Sequence, residues 1–270
     1  MDNSETQVLL ISDMQTGVKT PTFNIDICRE RMQTLVDKTI KIGNLHKKET
    51  PVENLVIMLL GDIVHGERVG FQVSLDELQT GVHEQKHAAV EMLTDAITQF
   101  SKKYKNVYTY GVHGNHGIRS KFSSKSDNVD IDVYETLQLS CKQLKNVSMQ
   151  FNHDSFYQIV QIGNFRYLMF HGHQQKMSGA RMPIYGLEST ISKWYLIDNM
   201  KFDVAVCGHF HTSTYIKAQG KLPMFVNGCF TTDDPFTIEK LAKDGSPAQW
   251  TFFVGEDHPI TAMYEVDLVD

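Results

Sequence analysis

Apolar residues fall in short runs along this chain, and many runs stop at a small polar cluster. Val8–Ile11 runs into Ser12-Asp13. Asn54–Leu60, apolar after its first residue, stops at Gly61-Asp62, and Val107–Val112 ends at His113-Gly114-Asn115-His116. Phe165–Phe170 stops at His171, and Val204–Cys207 at Gly208-His209. Short continuous apolar runs suit strands covered on both faces. The early runs are separated by segments with helical spacing. Asp26–Ile42 carries Ile27, Leu35, Ile40 and Ile42 among charges, and Val82–Tyr104 places Ala89, Leu93, Ala96, Ile97 and Phe100 on one face. Val129–Leu144 and Ser189–Met200 predict two more helices. Ser155–Ile162 and Phe165–Phe170 flank Gly163-Asn164, a hairpin signal. The tail predicts strands at Thr214–Ala218, Met224–Val226, Gln249–Val254 and Thr261–Val266. The polar, serine-rich stretch Gly117–Asn128 reads as a loop.

Strand and helix alternate in the first half, and strands dominate the second. This order predicts mixed sheets with helices outside them. In open α/β sheets, ligands bind beyond the carboxyl ends of the strands. The polar clusters therefore belong to one shared site. A length of 270 residues suits one large α/β domain, and no linker or repeat divides it. A net charge of −6 implies no broad basic face, and a protein that holds duplex nucleic acid by charge alone is usually more basic, although a local basic patch stays open. The four cysteines contain no C-x-x-C pair, which predicts a reducing, cytoplasmic compartment. Val8–Ile11 is too short for a signal core or a membrane span, so no membrane association is expected.

Five segments carry the candidate chemistry: Asp13-Met14-Gln15, Gly61-Asp62, Gly114-Asn115-His116, His171-Gly172-His173 and Gly208-His209-Phe210-His211. Each offers Asp, Asn or His at a predicted strand end, a ligand set suited to Mn, Fe or Zn. Two such ions roughly 3.5–4 Å apart can clamp the attacking and leaving oxygens of an in-line displacement at phosphorus. Each motif is weak alone, since Gly-Asp is a common turn dipeptide and a lone His beside glycine is usually a satisfied polar group. Their ordered recurrence carries the argument.

The series resembles the calcineurin-like metallophosphoesterase superfamily, whose pattern is D-x-H, G-D, G-N-H-[DE], H and G-H-x-H, from Asp13 to His211. Val226-Asn227-Gly228-Cys229 is similar to the N-P-G-S turn that follows. The resemblance implies an α/β fold of four layers, two mixed β-sheets flanked by α-helices, in a single domain over residues 1–270. It also implies two divalent metal ions, manganese first, with Fe, Zn, Ni or Mg as alternatives. Asp13 and His211, with Gln15, would hold the first ion, Asp62 would bridge, and Asn115, His171 and His209 would hold the second. His116 would stay off the metals as general acid or phosphate donor, with water as the nucleophile.

Two positions depart from the pattern. Gln15 stands where the first motif normally has His, and a neutral amide oxygen is a weaker ligand than imidazole. Gly117 replaces the acidic residue that usually ends the third motif. Within the superfamily the chain looks most like SbcD-type repair nucleases and phage-type DNA-repair exonucleases, through Gly-Asp-Ile-Val-His and the long helix before Gly-Asn-His. That implies a metal-dependent phosphodiesterase acting on nucleic acid, DNA or RNA, and SbcD-type proteins act as homodimers. The alternatives are a small-molecule phosphatase or a cyclic-nucleotide phosphodiesterase with a nucleotide substrate, or a non-catalytic scaffold with the same fold. Arg119, in a stretch with Lys121, Phe122 and Lys125 that suits backbone tracking and base stacking, is a candidate substrate contact, as are His65 and Arg181. A solvated loop explains that stretch equally well. His83-Glu84-Gln85-Lys86-His87 matches the zinc-protease helix motif H-E-x-x-H, but no downstream ligand pattern accompanies it.

Overall fold

Strand β1 (Glu5–Ile11) is apolar on both faces, and the layers follow from that. Side chains alternate across a strand, so Val8 and Leu10 face one way and Leu9 and Ile11 the other. The first pair enters a core shared with the second sheet, and the other pair enters a core shared with helices. Burying each such side chain contributes about 1.5–3 kcal/mol. The computed structural model describes residues 4–67, 78–120, 127–175, 183–233 and 245–269.

The chain continues through α1 (Ile25–His46), β2 (Val52–Leu59), α2 (Val82–Ser101), β3 (Asn106–Gly111), α3 (Val129–Ser140) and β4 (Val147–Phe151). It then adds β5 (Tyr157–Ile162), β6 (Phe165–Phe170), α4 (Ile184–Tyr195), β7 (Val204–Cys207), β8 (Thr214–Ala218), β9 (Leu222–Val226), β10 (Ala248–Val254) and β11 (Ala262–Asp267). The first sheet has the order β11-β10-β1-β2-β3-β4, and the second β5-β6-β7-β9-β8. Strands β1 to β4 run parallel, with β10 and β11 antiparallel at one edge. In the second sheet β6, β7 and β9 are parallel, and β5 and β8 close its edges in antiparallel pairs. Helices α1, α2 and α3 cover the outer face of the first sheet, and α4 covers the second. Met58, Met169, Phe225 and Phe252 fill the space between the sheets. This is the expected α/β metallophosphoesterase architecture, two mixed sheets with four α-helices among the described residues. No helix among the described residues is long and apolar enough to cross a membrane.

Local differences from the predicted elements have identifiable causes. Helix α2 ends at Ser101 rather than Tyr104, where Asn146 Nδ2 donates to the carbonyl oxygens of Ser101 and Tyr104 and satisfies the end of the helix. Helix α3 stops at Ser140, because Cys141 leaves helical geometry at φ −90° and ψ 0°. Helix α4 starts at Ile184, with Pro183 as its cap, and ends at Tyr195; Asp198–Met200 is a separate 3-10 turn. Strand β4 was not predicted. Its Val-Ser-Met-Gln-Phe alternation is half-buried at the sheet edge, where a short strand carries little apolar signal.

Candidate metal centre

The parallel strands β1, β2 and β3 of one sheet and β6 and β7 of the other deliver their following residues to one place. Asp13 and Gln15 follow β1, Asp62 follows β2, Asn115 and His116 follow β3, His171 follows β6, and His209 and His211 follow β7. Of these, Asp13, Gln15, Asp62, His209 and His211 adopt left-handed backbone geometry, with φ between 43° and 72°. Non-glycine residues rarely do so, and the strain is tolerated where the surroundings hold a functional arrangement in place. Gly114 shows how tight the approach is. A Cβ there would lie 2.0 Å from Asp62 Oδ1, so only glycine admits the carboxylate.

Asp62 sits at the middle of the cluster. Its Oδ2 lies 2.9 Å from His171 Nε2 and 3.8 Å from His116 Nε2, and its Oδ1 accepts from the His116 amide at 2.8 Å. Asn115 Oδ1 is 3.1 Å from His171 Nε2. Ligand atoms of Asp62, His171 and His209 all lie within 4.8 Å of one another, the only such three-residue His, Cys, Asp or Glu group among the described residues. On the other side, His211 Nε2 is 3.3 Å from Asp13 Oδ1 and 3.1 Å from Gln15 Nε2. The Asp13 Oδ2 atom accepts from the His209 amide at 2.9 Å and joins the two groups.

Three observations test whether this donor set fits metal ions. Asp13 Oδ1, Gln15 Oε1 and Asp62 Oδ2 are buried; Gln15 Oε1 accepts no hydrogen bond, and the two carboxylate oxygens face the Nε2 atoms of His211 and His171, which a metal ion between them would satisfy. His171 Nδ1 is 2.7 Å from the Leu60 carbonyl oxygen; donation there leaves Nε2 toward the carboxylate, as metal-binding histidines are commonly oriented. The electrostatics agree with both. Burial would raise Asp62, but the charges of His171 and then His116 override it and hold its carboxyl well below the usual range. Burial opposes charge on His171, yet Asp62 and Asp13 push it up to about 9. His209 is pushed down to about 3 by burial and then by the charge of His171. The buried carboxylates thus draw positive charge into the cluster, as a proton or as a metal ion. Asp62, His171 and His209 fit a divalent ion, and Asp13, Gln15 and His211 gather beside them with donor atoms that would suit a second. A half-turn of the Gln15 amide exchanges Nε2 for Oε1, so this residue can offer an acceptor as well.

His116 is placed differently. Its Nδ1 lies 3.0 Å from the His65 carbonyl oxygen, and donation there directs Nε2 toward Gln15, at 3.5 Å, and Asp62. The His65 ring lies beside it at 4.9 Å between centroids, with both ring nitrogens buried and without a hydrogen-bond partner. Burial, and then the charge of His116, push His65 down to about 3. His173 is more exposed than the fully buried His171, and its ring centre is 5.5 Å away.

The remaining candidates separate. Arg119 Nε pairs with Asp127 Oδ1 at 2.8 Å, and its other arm pairs with Asp132, so two carboxylates engage its charge. Arg181, Lys121, Phe122 and Lys125 lie outside the described residues. In H-E-x-x-H, His83 and His87 are exposed with ring centres 4.4 Å apart, and no third ligand joins them among the described residues. The inward residue of that motif is Gln85, which is fully buried and accepts from the Gly66 amide at 2.8 Å.

Several supporting residues carried no motif. Ser12 N donates to Gln249 Oε1 at 2.9 Å, and Asn227 Nδ2 donates to the same oxygen at 2.6 Å, so a buried polar network behind Asp13 ties β1 to β9 and β10. Asp130 is also buried, and burial followed by the charge of Asp62 push its carboxyl up to about 6. Its sequence signal, Asn128-Val129-Asp130, reads only as a helix start.

The sequence profile of calcineurin-like phosphoesterases matches residues 6–213. No curated protein matches the chain. Among solved structures, vacuolar protein sorting 29 from Cryptosporidium parvum is similar at 17% identity, with a TM-score of 0.45, over 98% of this chain and 100% of its own. A dimetal phosphatase from Danio rerio is similar at 10% identity, with a TM-score of 0.44, over 98% of this chain and 99% of its own. Phosphopantetheinyl hydrolase from Mycobacterium tuberculosis is similar at 9% identity, with a TM-score of 0.35, over 88% and 93% of the two chains. The profile match spans well over half the sequence and includes every ligand position from Asp13 to His211, and on that ground the chain belongs to the calcineurin-like phosphoesterase family.

Proposed function

We propose that this protein is a metal-dependent phosphodiesterase that cleaves nucleic-acid strands. The observation that carries the hydrolytic part is the position of His116: beside the shared carboxylate, outside the ligand set, with one ring nitrogen directed at the site. When bound, two divalent ions supply Lewis-acid stabilisation of the phosphoryl oxygens and activate water. The chain's own residues do the rest. The His65 carbonyl oxygen orients the His116 ring through Nδ1. As water adds to phosphorus and the bond to the leaving oxygen breaks, His116 Nε2 delivers a proton to that oxygen. The buried His65 ring packs beside His116 and would support its orientation. The strand preference is supported by Gly-Asp-Ile-Val-His and the long helix before Gly-Asn-His, features shared with SbcD-type and phage-type exonucleases. Manganese is the proposed metal, because Gln15 adds a neutral oxygen donor to the first site.

A second reading is favoured by one observation. The Arg119 charge is engaged by Asp127 and Asp132, which removes one cation from backbone tracking and favours a small nucleotide substrate. The test is hydrolysis of bis(p-nitrophenyl) phosphate and of a labelled single strand with manganese, for the parent and His116→Ala. The expected result is cleavage of both substrates, with both activities collapsing in the variant. Cleavage of the dye diester alone would move the substrate to nucleotides. Full metal loading with no hydrolysis of either would overturn the enzyme reading.

A further inference from the structure

Helix α3 reaches the metal centre through a side chain that belongs to none of the five motifs. Asp130 is fully buried, and its carboxylate accepts from backbone amides of two separate loops. Its Oδ2 accepts from Asp62 N and Gly114 N, both at 2.9 Å. Its Oδ1 accepts from Ile63 N at 3.1 Å and from Val64 N at 3.4 Å. One carboxylate therefore holds the loop after β2, which carries Asp62, against the loop after β3, which carries Asn115 and His116. Asp62 passes this on, because its Oδ1 accepts from the His116 amide at 2.8 Å.

Helix capping does not account for this carboxylate. Asn128 is the cap: its Oδ1 accepts from Asp130 N at 2.9 Å, and its Nδ2 donates to the Gly114 carbonyl oxygen at 2.9 Å. The amides that Asp130 accepts from all lie in the two motif loops, not in its own helix. Its place in the first turn of α3 suits a buried negative charge, because the helix dipole is positive there.

Gly117 lies against the start of the same helix. The third motif usually carries an acid at this position, but a Cβ there would lie 2.1 Å from Asn128 Oδ1 and 3.0 Å from Asp130 N. The start of α3 fills that space, and Val129 N donates to the Gly117 carbonyl oxygen at 2.9 Å. A side chain at position 117 would displace the Asn128 cap, so glycine lets the start of α3 close on the loop.

We propose that Asp130 is a positioning residue of the metal centre, setting the spacing of Asp62, Asn115 and His116 by tying their loops together. This rests on the reading of the cluster as a phosphoesterase site, but it is testable through metal binding alone. The experiment compares the full-length parent with Asp130→Asn and Asp130→Glu. Asparagine keeps the size but turns an N–H₂ toward backbone donors, and glutamate keeps the charge but adds one methylene. The readouts are manganese affinity by calorimetry, the Mn(II) electron paramagnetic resonance spectrum, thermal unfolding, and kcat and KM for bis(p-nitrophenyl) phosphate.

Loss of a residue that orients metal ligands typically costs about 10–100-fold in metal affinity or activity. Asp130→Asn is expected to lose that much manganese affinity at temperatures where it is fully folded, with an altered resonance spectrum. Its kcat falls with little change in KM. Asp130→Glu, the charge-conserving variant, is expected to fall between the two. If Asp130→Asn does not fold, the glutamate variant decides on the same readouts. A folded variant with lower thermal stability but parental manganese affinity and spectrum would overturn the proposal. If the parent binds manganese but cleaves no ester, the functional reading fails, and the affinity comparison still decides the role of Asp130.

Discussion

The two halves of the candidate metal centre, which Asp62 is proposed to bridge, are built from strand ends of both sheets, yet their donors differ. One half brings Asn115, His171 and His209 to the shared carboxylate, so two imidazoles meet one carboxylate and one amide. The other brings Asp13, Gln15 and His211, where an amide stands in place of the second imidazole. His171 is fully buried and 2.9 Å from Asp62, whereas the Gln15 amide is 3.1 Å from His211 and 3.5 Å from His116. A neutral amide oxygen is a weaker ligand for borderline metals than imidazole. An amide in place of an imidazole would make the Asp13, Gln15 and His211 half the looser of the two for such a metal.

The largest effect is expected from the residue both halves share. Asp62→Asn should abolish the difference by emptying both halves, with metal content by mass spectrometry falling to background and hydrolysis lost. Retention of one ion per chain would mean that Asp62 does not bridge. His116→Ala comes next. It should lower kcat by about 10²–10⁴-fold, the range for loss of a general acid, while both ions stay bound. Loss of an ion instead would place His116 among the ligands.

Gln15→His sharpens the comparison most directly. It should tighten the weaker ion on the order of tenfold, or ~1.4 kcal/mol, read by calorimetry, and leave the tighter ion unchanged. The smallest effect belongs to Arg119→Ala. Its side chain is 43% exposed and pairs with partly exposed acids, so the pairs should contribute about 0–1 kcal/mol of stability. Cleavage of a labelled strand should change by less than about threefold, and a larger loss would put Arg119 in contact with substrate.

The centre was legible in the sequence for a physical reason. Parallel strands buried on both faces are nearly pure apolar runs, and the first polar residues after them fall at the site. Asp62 after Leu55–Leu60 and His171 after Phe165–Phe170 are such cases. Strand β4 was not legible, because an edge strand buries one face only and its Val-Ser-Met-Gln-Phe pattern is too short to stand out. Asp130 was not legible either. In sequence it is an acidic residue in the first turn of a helix, and its partners Asp62 and Gly114 become neighbours only when β2, β3 and α3 pack together. Arg119 has partners that the sequence did not show, because Asp127 and Asp132 pair with it once the loop closes on α3. H-E-x-x-H matched a motif by spacing alone, and Gln85 at its centre packs inward to hold the Gly66 loop.

The central claim is one metal centre with two unequal halves, and manganese titration of the parent and of Gln15→His, counted per chain by calorimetry and electron paramagnetic resonance, tests it most directly. The account predicts two ions in the parent, one tight and one loose, with a spin-coupled signal when both are bound, and two tight ions in the variant. A single ion in both proteins, or two ions of equal affinity in the parent, would contradict it.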